Sequence, residues 1–173
     1  MKIPYACLAL IMLSSCAARA EDDAPAGKVV KAQVEEMNAA LLKEDYGKVV
    51  DFTHPKVVEL MGGRDKMVSV MEAGTKDMKS KGFAFQSTKV DDPSEPVKGG
   101  SELFVVVPFR LEMKAPDGKL HIKSFVIGVS SDQGKSWTFV NGDLEVKKVK
   151  QVLPNLPEQL KLPEREKPVF EKD

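Results

Sequence analysis

Apolar residues recur along this chain with two different periods, and the change from one to the other divides it. From Lys28 to Lys43, Val30, Val34, Met37 and Leu41 fall at spacings of three and four. That pattern predicts an amphipathic helix with Glu35, Glu36 and Lys43 on its wet side. A second, short helix is expected over Tyr46–Phe52, with Val49, Val50 and Phe52 inward and Gly47 weakening it. Thr53-His54-Pro55 then breaks the pattern. Pro is well placed at a first helical position, so Pro55–Met61 is read as one more short helix, a short strand being the alternative. Gly62-Gly63 stops it. Arg64–Lys79 forms a firmer helix whose apolar face carries Met67, Val70, Met71 and Met78, with Gly74 as a flaw and Lys79, Lys81 and Gly82 closing it.

Beyond Gly82 the period drops to two. Phe83–Val90 is the first strand, and 91–101 reads as a polar loop. Glu102–Lys114 is the strongest strand. Leu103, Val105, Val107, Phe109, Leu111 and Met113 make one continuous apolar row, expected to be the core face. The opposite row begins with Phe104 and Val106 and ends with Arg110, Glu112 and Lys114, so it is read as a solvent or interface face. Pro108 cannot donate to a ladder and predicts a bulge or an edge position. Pro116-Asp117-Gly118 is a tight turn into the next strand, Lys119–Ser130, and Ser136–Asn141 is the last one expected. In Lys119–Ser130 either row (His121, Lys123, Phe125, Ile127, Val129 or Ile122, Ser124, Val126, Gly128) fits the core, and the pattern leaves the choice open. Glu145–Val152 suits a short amphipathic helix. Pro154, Pro157, Pro163 and Pro168 keep the remainder extended, and Leu153, Leu156, Leu160 and Leu162 predict that its first part packs.

Helices followed by antiparallel strands give an α+β fold class, with N-terminal helices packed on a curved antiparallel sheet. The boundaries are residues 1–20 as a signal peptide, 21–27 as an acidic leader, 28–146 as the domain and 147–173 as a Pro-rich C-terminal extension. Lys2, the apolar run Tyr5–Leu13 and Ala18-Arg19-Ala20 carry the signal reading, which makes the protein exported, periplasmic or secreted. Leu13-Ser14-Ser15-Cys16 resembles a lipobox, and Cys16 is therefore a lipidation candidate that would anchor an envelope lipoprotein. The 173 residues suit one domain. Cys7 and Cys16 are the only cysteines, so a chain cut after Ala20 has no disulfide and no thiolate chemistry. Acids and bases balance at 26 each and are interspersed, which argues against nucleic acid as a partner.

The order LLKEDYGKVVDFTHP, then GGRDKM opening a helix, then long strands, resembles the NTF2-like superfamily, in particular its SnoaL-like or cystatin-type cones, over Val29–Val146. The resemblance implies a cone whose helices and concave sheet enclose a pocket, and a convex sheet face that often makes a dimer. Here that face would carry Phe104 and Val106. Such folds host isomerases, dehydratases and binding modules, so the fold alone names no activity. Separately, Ser130-Ser131-Asp132-Gln133-Gly134-Lys135-Ser136-Trp137 fits the S-x-D-x-G-x-x-W pattern of an Asp-box, read here as a hairpin staple.

Enzymes of this fold place a Tyr, His or Asp in the pocket, where burial tunes its pKa. Tyr46 and His54 are the catalytic candidates, with Asp51 or Asp45 available to orient His54. Each also has a structural reading, as a packed ring and as a helix-end cap, and that reading is favoured. His121 and Trp137 are the ligand-pocket candidates. Arg110 is expected at solvent or interface, and Asp143 in a turn. Two distant histidines and no metal-ligand spacing indicate no metal, and nothing calls for a cofactor. Gly62-Gly63 is read as helix punctuation and the methionines Met37, Met61, Met67, Met71 and Met78 as core. The expected function is a non-enzymatic ligand- or protein-binding module taking a small apolar ligand or a protein partner, with a homodimer among the options. The alternative is a lyase or isomerase acting on a small apolar molecule, with His54 and Tyr46 as acid and base.

Overall fold

The computed structural model describes residues 25–144 and 146–173. The signal segment, Cys16 and most of the acidic leader lie outside them. Four helices come first: α1 (Ala26–Leu42), α2 (Tyr46–Asp51), α3 (Pro55–Leu60) and α4 (Arg64–Ser80). Strands β1 (Ala84–Val90), β2 (Val97–Gly99), β3 (Glu102–Ala115), β4 (Gly118–Ser130) and β5 (Thr138–Asn141) follow, then α5 (Val146–Val152) and β6 (Val169–Lys172). The architecture is α+β, with helices packed on a curved, open, antiparallel six-stranded sheet.

The β3–β4 hairpin is the spine. Its strands pair from Leu103↔Ser130 to Ala115↔Gly118, closed by the two-residue turn Pro116-Asp117. Each outer edge is shared by two shorter strands. On β3, β2 pairs at Leu103 and Phe104, while β1 pairs from Phe109 onward. On β4, β5 pairs over Val126–Val129 and β6 over Gly118–His121. Pro108 sits in the gap between β1 and β2. Its carbonyl accepts from the Asp91 N–H at 2.9 Å, so its missing donor faces that same loop and costs the hairpin no ladder bond. The register shift on this edge lies instead between Phe85 and Ser87.

Both faces of the hairpin's apolar half are buried. On one face, Val30 and Val34 of α1 pack with Val90, Val105, Val107, Val126, Trp137 and Phe139. Thus the row Ile122, Ser124, Val126, Gly128 is the one that faces the helices. On the other face, Phe104, Val106, Phe125, Ile127 and Val129 pack beneath Val149, Val152, Leu153 and Leu160. Phe104 is 0% exposed and Val106 3%. This corrects the expectation of an interface there: the face carrying Phe104 and Val106 is covered by the chain's own C-terminal segment. The cover is close. A Cβ on Gly99 would strike the Asn155 carbonyl oxygen and the Phe104 ring, and one on Gly142 would strike the Phe125 ring. The methionines are also less buried than their spacing suggests. Helix α4 packs mainly on α2, outside the sheet, so Met67, Met71 and Met78 are half-buried and Met61 is exposed.

If the extension is core, truncating one of its leucines must cost as much as a core leucine does. Leu160→Ala should lower unfolding free energy by about 2–5 kcal/mol in a urea titration, whereas a freely hanging tail would leave the midpoint unchanged.

Candidate functional site

The segment 52–54 is clipped onto the outer edge of β5. Phe139 donates its N–H to the Phe52 carbonyl at 2.8 Å, and His54 donates its N–H to the Phe139 carbonyl at 2.9 Å. Thr53 forms a parallel bridge to Phe139, and the Phe52 and Phe139 rings lie 6.3 Å apart. This clip fixes where α2 ends and α3 begins. His54 is the N-cap of α3, its Nδ1 accepting from the Lys56 N–H at 3.2 Å, with Pro55 at the first helical position. Burial pushes its pKa down, the nearby Glu102 carboxylate opposes this, and Lys56 adds to the depression.

The acids expected to orient His54 are committed elsewhere. Asp45 caps α2 by accepting from the Lys48 N–H at 3.1 Å. Asp51 takes a two-pronged pair from Arg64, with Nε–Oδ1 at 2.8 Å and Nη2–Oδ2 at 3.2 Å. The guanidinium holds the Asp51 carboxyl below its usual range. That pair ties the first residue of α4 back to α2, and the two segments of the resemblance meet in it. Tyr46 is buried, and its hydroxyl donates to Thr75 Oγ1 at 2.7 Å, joining α2 to α4. Tyr46 and His54 therefore hold separate partners in separate places.

His121 lies on the face opposite the helices. Its Nε2 is 2.9 Å from Glu171 Oε2 on β6, and its Nδ1 is 3.7 Å from Glu112. Arg110, on the same face, pairs with Asp91, and Lys123 pairs with Glu166 of the extension at 2.9 Å. A shallow 260 Å³ depression runs over these side chains, lined by Lys89, Arg110, Glu112, His121 and Lys123. Asp143 is an exposed turn residue accepting from the Ser124 hydroxyl at 3.0 Å. Trp137 is 3% exposed in the helix-side core. Its backbone N–H donates to Gln33 Oε1 of α1 at 2.9 Å and its indole N–H to the Gly134 carbonyl at 3.1 Å.

The residues that fit the Asp-box pattern staple their own turn. Asp132 Oδ1 accepts from the Ser130 hydroxyl and from the backbone of Lys135 and Ser136, and Oδ2 accepts from the Ser136 hydroxyl at 2.6 Å. These donors hold the Asp132 pKa down to about 2, the Ser136 hydroxyl contributing most. Sequence reasoning passed over Asn38. It is buried in α1, and its Nδ2 has no partner among the described residues. Its place four residues after Val34 and eight after Val30 was the available signal.

Among the described residues, no group of three or more His, Cys, Asp or Glu side chains is assembled to hold a metal, and no helix is long and apolar enough to cross a membrane. Comparison with protein-family models, with curated proteins and with solved structures finds no match to this chain.

Two substitutions separate these local roles. Asp132→Ala should cost on the order of 1–3 kcal/mol at neutral pH, because several turn donors lose one acceptor. The depressed carboxyl contributes stability above about pH 4, its unfolded value, and loses it as pH falls toward about 2. The variant should therefore lack that acid-side decline in thermal unfolding. For His54 the sign is the same, but the window lies at higher pH. The unfolded chain protonates near pH 6.5 while the folded one resists, so stability falls as pH drops below about 6.5. His54→Asn, which keeps a capping acceptor, should flatten Tm between about pH 7 and 5. An unchanged slope would remove His54 from the account.

Proposed function

We propose that the protein is an exported, non-enzymatic interaction module on an NTF2-like framework, and that it works by accepting an extended polypeptide strand along the edge of β4. The observation that carries this reading is β6. Four residues, Val169–Lys172, pair antiparallel with Gly118–His121, yet all four are exposed, with Val169 at 63% and Phe170 at 51%. Main-chain bonds and the Glu171–His121 contact hold this strand, with Glu166 on Lys123 just ahead of it, and almost no apolar burial does. That is the balance found in strand addition, where backbone bonding supplies affinity and a few side-chain contacts supply selection. The edge is shaped for it: a Cβ on Gly118 would strike the Glu171 carbonyl oxygen.

A polypeptide partner is favoured over a small apolar molecule because the apolar area of both sheet faces is already filled. The acid–base alternative draws no support from Tyr46 and His54, which serve Thr75 and the α3 cap. The framework is supported by helices on a curved antiparallel sheet in the expected order, and export by the leader pattern of residues 1–20.

The test uses the full chain with Glu166→Lys and Glu171→Lys, which loosens its own strand. Exposed ion pairs are worth about 0–1 kcal/mol each, so the fold survives. A synthetic peptide of residues 162–173 added to this chain should shift the amide resonances of Gly118–His121 in a saturable way, and Gly118→Val should abolish the shifts. No saturable shift, or a small molecule that co-purifies and is lost on Tyr46→Phe or His54→Asn, would overturn the reading.

A further inference from the structure

The segment that pairs with the β4 edge is this chain's own Val169–Lys172, and a second copy of the chain carries the same one. We propose that two copies exchange their C-terminal strands, each β6 pairing with Gly118–His121 of the other. The inference rests on the strand-accepting reading above and names its partner.

Three observations carry it. First, the extension has two parts of different character. Through Leu160 it is core, with Val149, Val152, Leu153 and Leu160 buried, whereas from Pro163 to Asp173 every residue is exposed. The second part can leave without uncovering the apolar face beneath the first. Second, the anchors of the exposed part are polar and self-contained: Glu166 on Lys123, Glu171 on His121, and the Asp173 N–H on the Asp117 carbonyl at 3.2 Å. A second copy supplies the same groups at the same spacing, so exchange remakes each contact and needs no new surface. Third, the link between buried Leu160 and Glu166 is residues 161–165 and contains Pro163. Five residues can reach about 17 Å, enough to cross between adjacent copies, and proline stiffens such a link.

Exchange of identical elements is a low-cost route to a closed two-fold dimer. Because the contacts are the same in both forms, concentration decides. The closed monomer prevails at dilution, and exchange grows as the chain concentration approaches the roughly millimolar effective concentration of the tethered strand. Charge keeps the exchange selective. The receiving face presents Lys119, His121 and Lys123 along β4, and the incoming segment places Glu166 and Glu171 against them.

The experiment uses two populations of full chain with Cys7 and Cys16 changed to Ser. One carries Lys119→Cys and the other Glu171→Cys, positions that are register partners across β4 and β6. Neither population can form an intramolecular disulfide, so a cross-link between them reports a strand placed in trans. After mixing at high concentration and slow oxidation, the mixed disulfide should exceed by roughly tenfold that of a control pairing Glu72→Cys with Glu171→Cys. Gly118→Val in the Lys119→Cys chain should return it to the control level. Control-level yield at every concentration overturns the exchange. If that happens while the peptide titration still saturates, the strand-accepting reading stands and only the choice of partner is wrong. If both fail, the reading beneath it fails too.

Discussion

In the apolar half of the β3–β4 hairpin, large side chains stand on both faces, and neither set can remain in water. Val105, Val107 and Val126 need one cover, and Phe104, Val106, Phe125 and Ile127 need another. At about 25 cal/mol per Å² of apolar surface, leaving either face wet would cost more than a small domain's whole margin of stability. The chain answers with its two ends. Helix α1, N-terminal to the hairpin, covers the first face, and α5 with the leucine-bearing extension, C-terminal to it, covers the second. The hairpin's other half is charged on the second face, and there the cover thins to a strand held by main-chain bonds and polar contacts.

That division explains where each candidate residue ended up. The helix layer is fastened to the sheet by specific polar links, from Gln33 to Trp137 and from 52–54 to Phe139. It is fastened within itself by Tyr46 to Thr75 and Arg64 to Asp51. Tyr46 and His54 are spent on this fastening. Lys89, Arg110, His121 and Lys123 face outward on the charged half of the sheet, where Arg110 is paired with Asp91, His121 with Glu171 and Lys123 with Glu166.

Much of this was legible before any coordinates. The five helices and four of the six strands described follow from periodicity and from Pro and Gly punctuation. The Ser130–Trp137 turn was legible because the bonds made by Ser130, Asp132 and the Trp137 indole are local. What escaped has a common cause. Strand β2 is three residues inside a polar loop, and β6 is four exposed residues after a proline, so neither carries an alternating pattern. The facing row of β4 could not be chosen because both rows are buried at the same end, and a two-sided core erases the alternation that reveals sidedness. The dimer face at Phe104 and Val106 was misassigned for the same reason: an apolar second face looks alike whether another molecule or the chain's own tail covers it. The pairs Asp51–Arg64, Gln33–Trp137 and His121–Glu171 join distant segments, and no spacing rule encodes them.

Amide hydrogen exchange on the intact chain tests the two-sided core most directly. The account predicts that the N–H groups of Leu153 and Leu160, bonded to the Val149 and Pro157 carbonyls, exchange only through global opening, at the same free energy as β3 and β4 amides. The β6 amides should exchange through a much cheaper local opening. If Leu153 and Leu160 exchange as fast as β6 does, the extension is not part of the core, and the explanation given for the burial of Phe104 and Val106 is contradicted.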